Sequence, residues 1–172
     1  MRLLVLRHAK SEKAAPGLSD RHRCLNPRGR ADAPRIGGYM AHHSLLPGAA
    51  IVSPARRTRE TFERVAAAWS APCPVRYLDR LYNAGPDAIL DVMREGSAQI
   101  LLVIGHNPGL HEAARLLIAS GDVETRERLN EALPTSGLAV IDFPGNDWRR
   151  LDPRSGRLER FVTPRSLKAA AD

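Results

Sequence analysis

The sequence predicts an α/β fold, a three-layer α/β/α sandwich built on a mostly parallel central sheet. Two observations carry that prediction. Short, wholly apolar runs recur at Leu3-Leu4-Val5-Leu6, Ala49-Ala50-Ile51-Val52 and Ile100-Leu101-Leu102-Val103-Ile104, the pattern of strands buried on both faces. Longer stretches with helical spacing lie between them, so strands alternate with helices. A length of 172 residues suits one domain, residues 1–172, with no internal repeat and no linker.

The first strand runs straight into Arg7-His8 and is followed by a long polar loop, Ala9 to Arg28, with Pro16-Gly17 and Asn26-Pro27. Loops of that length without structure of their own are often functional. A helix is predicted from about Arg28 to His43, with Ala31, Ile36, Tyr39 and Met40 inward, and Pro34 marks a kink or a later start. Leu46-Pro47-Gly48 is a turn into the second strand. Ser53-Pro54 then reads as N-cap and first helical residue of a helix reaching about Trp69, with Phe62, Val65, Ala66 and Trp69 on one face.

Pro72 and Pro74 break the chain before a short strand at Val75 to Leu78, and Asn83-Ala84-Gly85-Pro86 turns into a helix from Asp87 to Arg94. The strong strand at Ile100–Ile104 leads into Gly105-His106-Asn107-Pro108, where Asn107 and Pro108 again read as cap and first residue of a helix reaching about Ser120. Gly121 to Pro134 is charged and reads as a partly helical insertion. Leu138 to Phe143 and Arg157 to Val162 are the last two strands.

Composition narrows the function. A net charge of +7 favours an acidic or phosphorylated partner. No block of Lys/Arg with interleaved aromatics appears, so nucleic acid is not the expected partner. No apolar run approaches the roughly 18 residues that span a bilayer, and no signal-peptide pattern opens the chain; no membrane partner is expected. Cys24 and Cys73 form no CxxC pair and fit a reduced, cytoplasmic protein; a monomer is expected.

Three strand ends share one pattern. The first delivers Arg7-His8, the second leads into Ser53-Pro54-Ala55-Arg56-Arg57, and the strong fourth ends at Gly105-His106-Asn107-Pro108. In a parallel sheet these ends converge on the edge where ligands bind. Arginine grips phosphate oxygens bidentately, and helix N-termini favour anions. A neutral imidazole attacks phosphorus and carries it covalently, and positioned cations supply most of what phosphoryl transfer needs. Lys10 and the basic stretch Arg21 to Arg35, with Arg21, Arg23 and Arg28, stand as substrate contacts or as a solvated surface.

Other motifs fail on spacing. His111-Glu112-Ala113-Ala114-Arg115 lacks the second histidine of HExxH, and His22 and Cys24 are an isolated pair. No Walker loop or GxGxxG is present.

Leu6-Arg7-His8 resembles the Arg-His-Gly signature of the histidine phosphatase (phosphoglycerate mutase-like) superfamily. Ser53-Pro54-Ala55-Arg56-Arg57-Thr58-Arg59-Glu60-Thr61 is similar to its Ser-Pro-Leu-x-Arg-Ala-x-Gln-Thr segment. Ile104-Gly105-His106-Asn107-Pro108 resembles the second-histidine segment of the SixA-type phosphohistidine phosphatase branch. Arg7-His8-Ala9-Lys10-Ser11 and Asp20-x-x-Arg23-x-Leu25-Asn26-x-x-Gly29 point to the same branch.

The resemblance implies a phosphoglycerate mutase-like fold and a phosphatase acting on a phosphorylated protein, through phosphorylation of His8. Arg7 and Arg57 would hold the phosphate, Arg57 rather than Arg56 because the family's arginine stands four places after the serine. His106 would bind phosphate and stabilise the transition state, with a backbone contact from Ser136-Gly137 near it. No metal or organic cofactor is implied. Ala9 replaces the usual glycine. No clear equivalent stands for the acid that larger members carry; Asp79 and Asp20 are the candidates. Phosphohistidine needs less help from an acid than an ester does. The alternatives are a phosphomonoesterase acting on a small phosphorylated metabolite at the same site, and a non-catalytic phosphate-recognition module.

Overall fold

A computed structural model describes residues 1–169. Seven strands form one sheet: β1 (Arg2–Arg7), β2 (Ala49–Val52), β3 (Val75–Tyr77), β4 (Ile100–Gly105), β5 (Ile118–Gly121), β6 (Leu138–Asp142) and β7 (Gly156–Val162), in the order β3-β2-β4-β1-β6-β7-β5. The pairs β2–β3, β2–β4, β1–β4 and β5–β7 are parallel, and β6 runs antiparallel to both β1 and β7. The sheet is therefore mixed but parallel where it carries the predicted histidines. Among the described residues six α-helices cover it: α1 (Pro27–His42), α2 (Arg56–Ala66), α3 (Pro86–Met93), α4 (Gly109–Leu117), α5 (Val123–Glu131) and α6 (Pro164–Ala169).

The apolar runs are continuous because each strand is buried twice over. In β1, Leu3 and Val5 pack with Ile89, Leu110 and Leu129 of α3, α4 and α5. Leu4 and Leu6 pack on the opposite face with Ile36 and Met40 of α1 and with Phe62 and Val65 of α2. All four β1 side chains are fully buried, and each such aliphatic contributes about 1.5–3 kcal/mol relative to exposure.

Several boundaries move for local reasons. Helix α1 starts at Pro27, because Asn26 caps it by accepting the Gly29 N–H at 2.9 Å; Asn26-Pro27 is a cap and first helical residue rather than loop punctuation. The helix continues through Pro34, whose ring is exposed, and its inward face is Gly29, Ala33, Ile36, Gly37 and Met40. Ala31 points to solvent, contrary to the sequence reading. Gly29 is demanded by packing: a Cβ there would lie 2.0 Å from the Lys10 carbonyl oxygen.

Helix α2 begins at Arg56 and ends at Ala66, so Ser53 is not its N-cap. Helix α4 begins at Gly109, and Asn107 is not its cap either; the Asn107–Pro108 bond is cis. The predicted end of α4 near Ser120 is replaced by β5, which adds to the sheet edge by pairing with β7. The charged insertion does hold a helix, α5, capped by Asp122 through the Thr125 N–H. No helix among the described residues is long and apolar enough to cross a membrane.

Candidate active site

Pairing register places the site. Arg7 pairs with Gly105 across β1 and β4, and Val52 pairs with Ile104 across β2 and β4. The residues after these pairs, His8, His106 and Ser53, therefore emerge side by side at one sheet edge. Because β6 is antiparallel, its entry also lies at that edge, with Leu138 opposite Leu6. That brings the Thr135-Ser136-Gly137 turn to the same rim. Ser136 holds φ +57° and its N–H donates to the carbonyls of both Arg7 (3.2 Å) and His8 (3.1 Å), while Gly137 accepts from the Arg7 N–H at 3.1 Å. The turn braces Arg7 and His8, where the sequence reading had set it beside His106.

His8 is nearly buried, at 8% exposure. Its Nδ1 lies 2.8 Å from the Ala9 carbonyl oxygen, which can only accept. Nδ1 therefore carries the hydrogen, and Nε2 keeps its lone pair. Burial pushes the His8 pKa down to about 3, with His106, Arg57 and Arg7 adding repulsion against the Ala9 bond. The ring is neutral at physiological pH. Ala9 itself is fixed by its N–H donating to Thr61 Oγ1 at 2.9 Å, and Thr61 donates in turn to the Arg57 carbonyl at 2.6 Å. Thr61 thus ties the His8 loop to α2.

His106 stands beside His8, with ring centroids 5.4 Å apart. Arg57 Nη2 lies 3.1 Å from its Nδ1 and Ser53 Oγ lies 2.6 Å from its Nε2. A guanidinium only donates, so Nδ1 is the acceptor and the neutral ring carries its hydrogen on Nε2. Burial and then Arg57 push the His106 pKa down to about 4. The two imidazoles therefore hold opposite tautomers.

Arg57 is buried and spans three acceptor atoms on two residues: Nη1 donates to the Asp20 carbonyl (2.8 Å), and Nη2 to Asp20 Oδ2 (3.1 Å) and His106. Arg7 Nη1 donates to the Leu133 carbonyl at 3.1 Å. The Nε atoms of both arginines are buried without a protein partner, as are Ser136 Oγ and Asn107 Oδ1. Two orphaned guanidinium donors at one rim are what an anion would satisfy. Arg56, by contrast, is exposed and pairs with Glu60 at 2.8 Å.

A cleft of about 920 Å³ opens over these groups, lined among others by Arg7, His8, Lys10, Glu12, Lys13 and Arg57. The two acid candidates separate here. Asp79 pairs with Arg21 and does not line the cleft. Asp20 does line it, yet it accepts from Tyr82 Oη (2.6 Å), Arg23 and Arg57, and the Tyr82 bond above all holds its carboxyl far below the usual range. Asp20 is an anion that orients Arg57, with no proton to give.

Sequence reasoning missed Ser53, Thr61, Tyr82 and Glu12. Ser53 was in view as a helix cap and Thr61 only as a motif letter, and the Tyr82–Asp20 contact joins residues far apart in sequence. His111, the failed zinc-motif histidine, donates from Nε2 to the Leu129 carbonyl at 2.6 Å and joins α4 to α5. Among the described residues no cluster of His, Cys, Asp or Glu suits a metal ion.

The family model described as histidine phosphatase superfamily (branch 1) matches residues 3–85. An uncharacterized protein of Mycobacterium tuberculosis is 36% identical over 93% of this chain and all of its own. A solved structure from Agrobacterium tumefaciens, provisionally named phosphohistidine phosphatase SixA, is 31% identical, with a TM-score of 0.81 over 95% of this chain and 97% of that one. The protein histidine phosphatase SixA complexed with tungstate shares the fold, with a TM-score of 0.74 and 22% identity over 97% and 99% of the two chains.

Proposed function

The chain belongs to the histidine phosphatase superfamily, and within that superfamily we propose that it removes phosphoryl groups from phosphohistidine on a protein. His8 is the nucleophile. The observation that carries this reading is the Ala9 carbonyl on His8 Nδ1, which leaves Nε2 unprotonated at the cleft beside half-buried Arg7 and buried Arg57.

In the first step His8 Nε2 forms a bond to phosphorus as the substrate's N–P bond breaks. A substrate ring protonated on its other nitrogen leaves as neutral imidazole, so no protein acid is required. Arg7 and Arg57 neutralise the phosphoryl oxygens, with His106 beside them. Phospho-His8 keeps its Nδ1–H on Ala9 and is a cationic ring, a good leaving group. Water then attacks phosphorus, the Nε2–P bond breaks, and inorganic phosphate departs.

The ionised state of Asp20 and the absence of Asp79 from the cleft lining support a P–N substrate over an ester, which needs a proton on its alkoxide. Glu12 is the remaining carboxylate lining the cleft and favours the second reading, a phosphomonoesterase. Lys10 and Lys13 on the cleft wall suit an acidic protein surface. The two free cysteines fit a reducing, cytoplasmic setting.

The test is a comparison of phosphohistidine and an alkyl phosphate as substrates for the wild type, Glu12→Gln and His8→Ala. The proposal expects phosphohistidine to be preferred, Glu12→Gln to leave that rate within about twofold, and His8→Ala to lose at least about a thousandfold. Preference for the ester with a Glu12-dependent rate would establish the second reading. Full activity in His8→Ala would overturn both.

A further inference from the structure

One polar side chain at the sheet edge has no part in the steps above. Ser53 is fully buried, and its position is fixed from three directions. Its N–H donates to the Ile104 carbonyl at 3.0 Å, continuing the β2–β4 ladder by one bond. Its carbonyl accepts from Thr58 Oγ1 at 2.6 Å. Its Oγ meets His106 Nε2 at 2.6 Å. The main chain of Ser53 is thus locked to the strand that carries His106, and the hydroxyl has little freedom to leave the ring.

The direction of that hydrogen bond follows from the other side of the ring. Arg57 Nη2 occupies Nδ1 and can only donate, so a neutral His106 must place its hydrogen on Nε2, toward Ser53. Without an oxygen at position 53, the Nε2–H would be buried with no acceptor. Moving the hydrogen to Nδ1 would then set it against the Arg57 donor. Either outcome is costly in a dry site. The Nε2 edge faces the protein interior through Ser53, and the Nδ1 edge faces Arg57, which lines the cleft.

We propose that Ser53 is a positioning residue that holds His106 in the Nε2–H tautomer, with Nδ1 turned to Arg57 and the phosphoryl site. His106 and Arg57 are thereby set as one unit before substrate arrives. This rests on the phosphatase reading for its kinetic consequence, but the tautomer itself does not.

The test uses 15N-histidine-labelled protein and long-range proton–nitrogen correlation spectra, which distinguish Nδ1–H from Nε2–H. Wild type is expected to show His8 as Nδ1–H and His106 as Nε2–H. In Ser53→Ala the His106 pattern should become mixed, and kcat on phosphohistidine should fall roughly 10- to 100-fold, the scale seen when the orienting partner of a metal-ligating imidazole is removed, with KM changed less than threefold. Ser53→Thr, which keeps the oxygen, should recover the Nε2–H signature and most of kcat. A wild-type His106 in the Nδ1–H form would overturn the proposal without need of any variant. So would a Ser53→Ala protein with unchanged tautomer or unchanged kcat. A wild type inactive on phosphohistidine would defeat the proposed function while leaving the spectral result to stand or fall alone.

Discussion

Asp20 grips Arg57 at two points, with its carbonyl oxygen 2.8 Å from Nη1 and its Oδ2 3.1 Å from Nη2. The same Oδ2 takes the Tyr82 hydroxyl at 2.6 Å. An ionised Asp20 that only aims Arg57 predicts equal losses on every substrate. Asp20→Asn should lower kcat/KM about tenfold, the scale of one hydrogen bond to a charged group, by the same factor for phosphohistidine and for an alkyl phosphate. A loss confined to the ester would make Asp20 the acid after all.

Neighbouring arginines on the first turn of α2 should behave oppositely. Arg57 is buried at the site, whereas Arg56 is exposed and paired with Glu60. Arg57→Ala should cost about 10²- to 10³-fold in kcat, as removal of one transition-state donor does. Arg57→Lys should recover little, because a single ammonium cannot span the same partners. Arg56→Ala should stay within about twofold, since exposed ion pairs contribute little. Steady-state kinetics on the three variants checks the assignment.

Both histidines have folded pKa values below the ordinary one, about 3 for His8 and about 4 for His106. As pH falls below the unfolded value of about 6.5, the unfolded chain binds protons that the folded one refuses. Their contribution is therefore fully present above pH 6.5 and is lost on acidification toward 3–4. Melting temperature should fall with pH in that window, and less steeply in His8→Asn. Histidine NMR signals of His8 and His106 should stay in place down to about pH 5.

Two glycines of α1 should respond with opposite signs. Gly29→Ala drives a Cβ into the Lys10 carbonyl, backbone against backbone, whereas Gly38 has nothing within 4 Å of its added methyl. Gly29→Ala should destabilise by about 2–4 kcal/mol and reduce activity, since Lys10 follows the His8-Ala9 turn. Gly38→Ala should stabilise by about 0.5–1 kcal/mol. Denaturant titration measures both.

The inner parallel strands β1, β2 and β4 were legible because they are buried on both faces, and twofold burial writes itself as an unbroken apolar run. The edge strand β5, Ile-Ala-Ser-Gly, has no such run, since it is half-exposed and is defined by its partner β7. His8, His106, Arg7 and Arg57 were brought to one rim as the strand-end pattern implied. Ser53 was misplaced because serine before proline signals a helix cap, and here its oxygen accepts from the buried His106 Nε2–H instead. Asn107 was misplaced likewise: its Nδ2 donates to the Leu133 carbonyl at 2.8 Å, a partner 26 residues away. Local signals describe what a side chain can bond, and tertiary contacts select the bond that forms.

The strand that delivers His8, β1, is paired along both of its edges, to β4 and to β6. In hydrogen-exchange terms, the amides of β1 belong to the last unit to open, and those of the loop before Asn26, with its single bridge between Ser11 and Leu25, to the first. Chemistry and access are thus assigned to parts of different local stability. On the proposed reading, a looser cleft wall would let a phosphorylated protein surface in while His8 keeps its place at the end of β1.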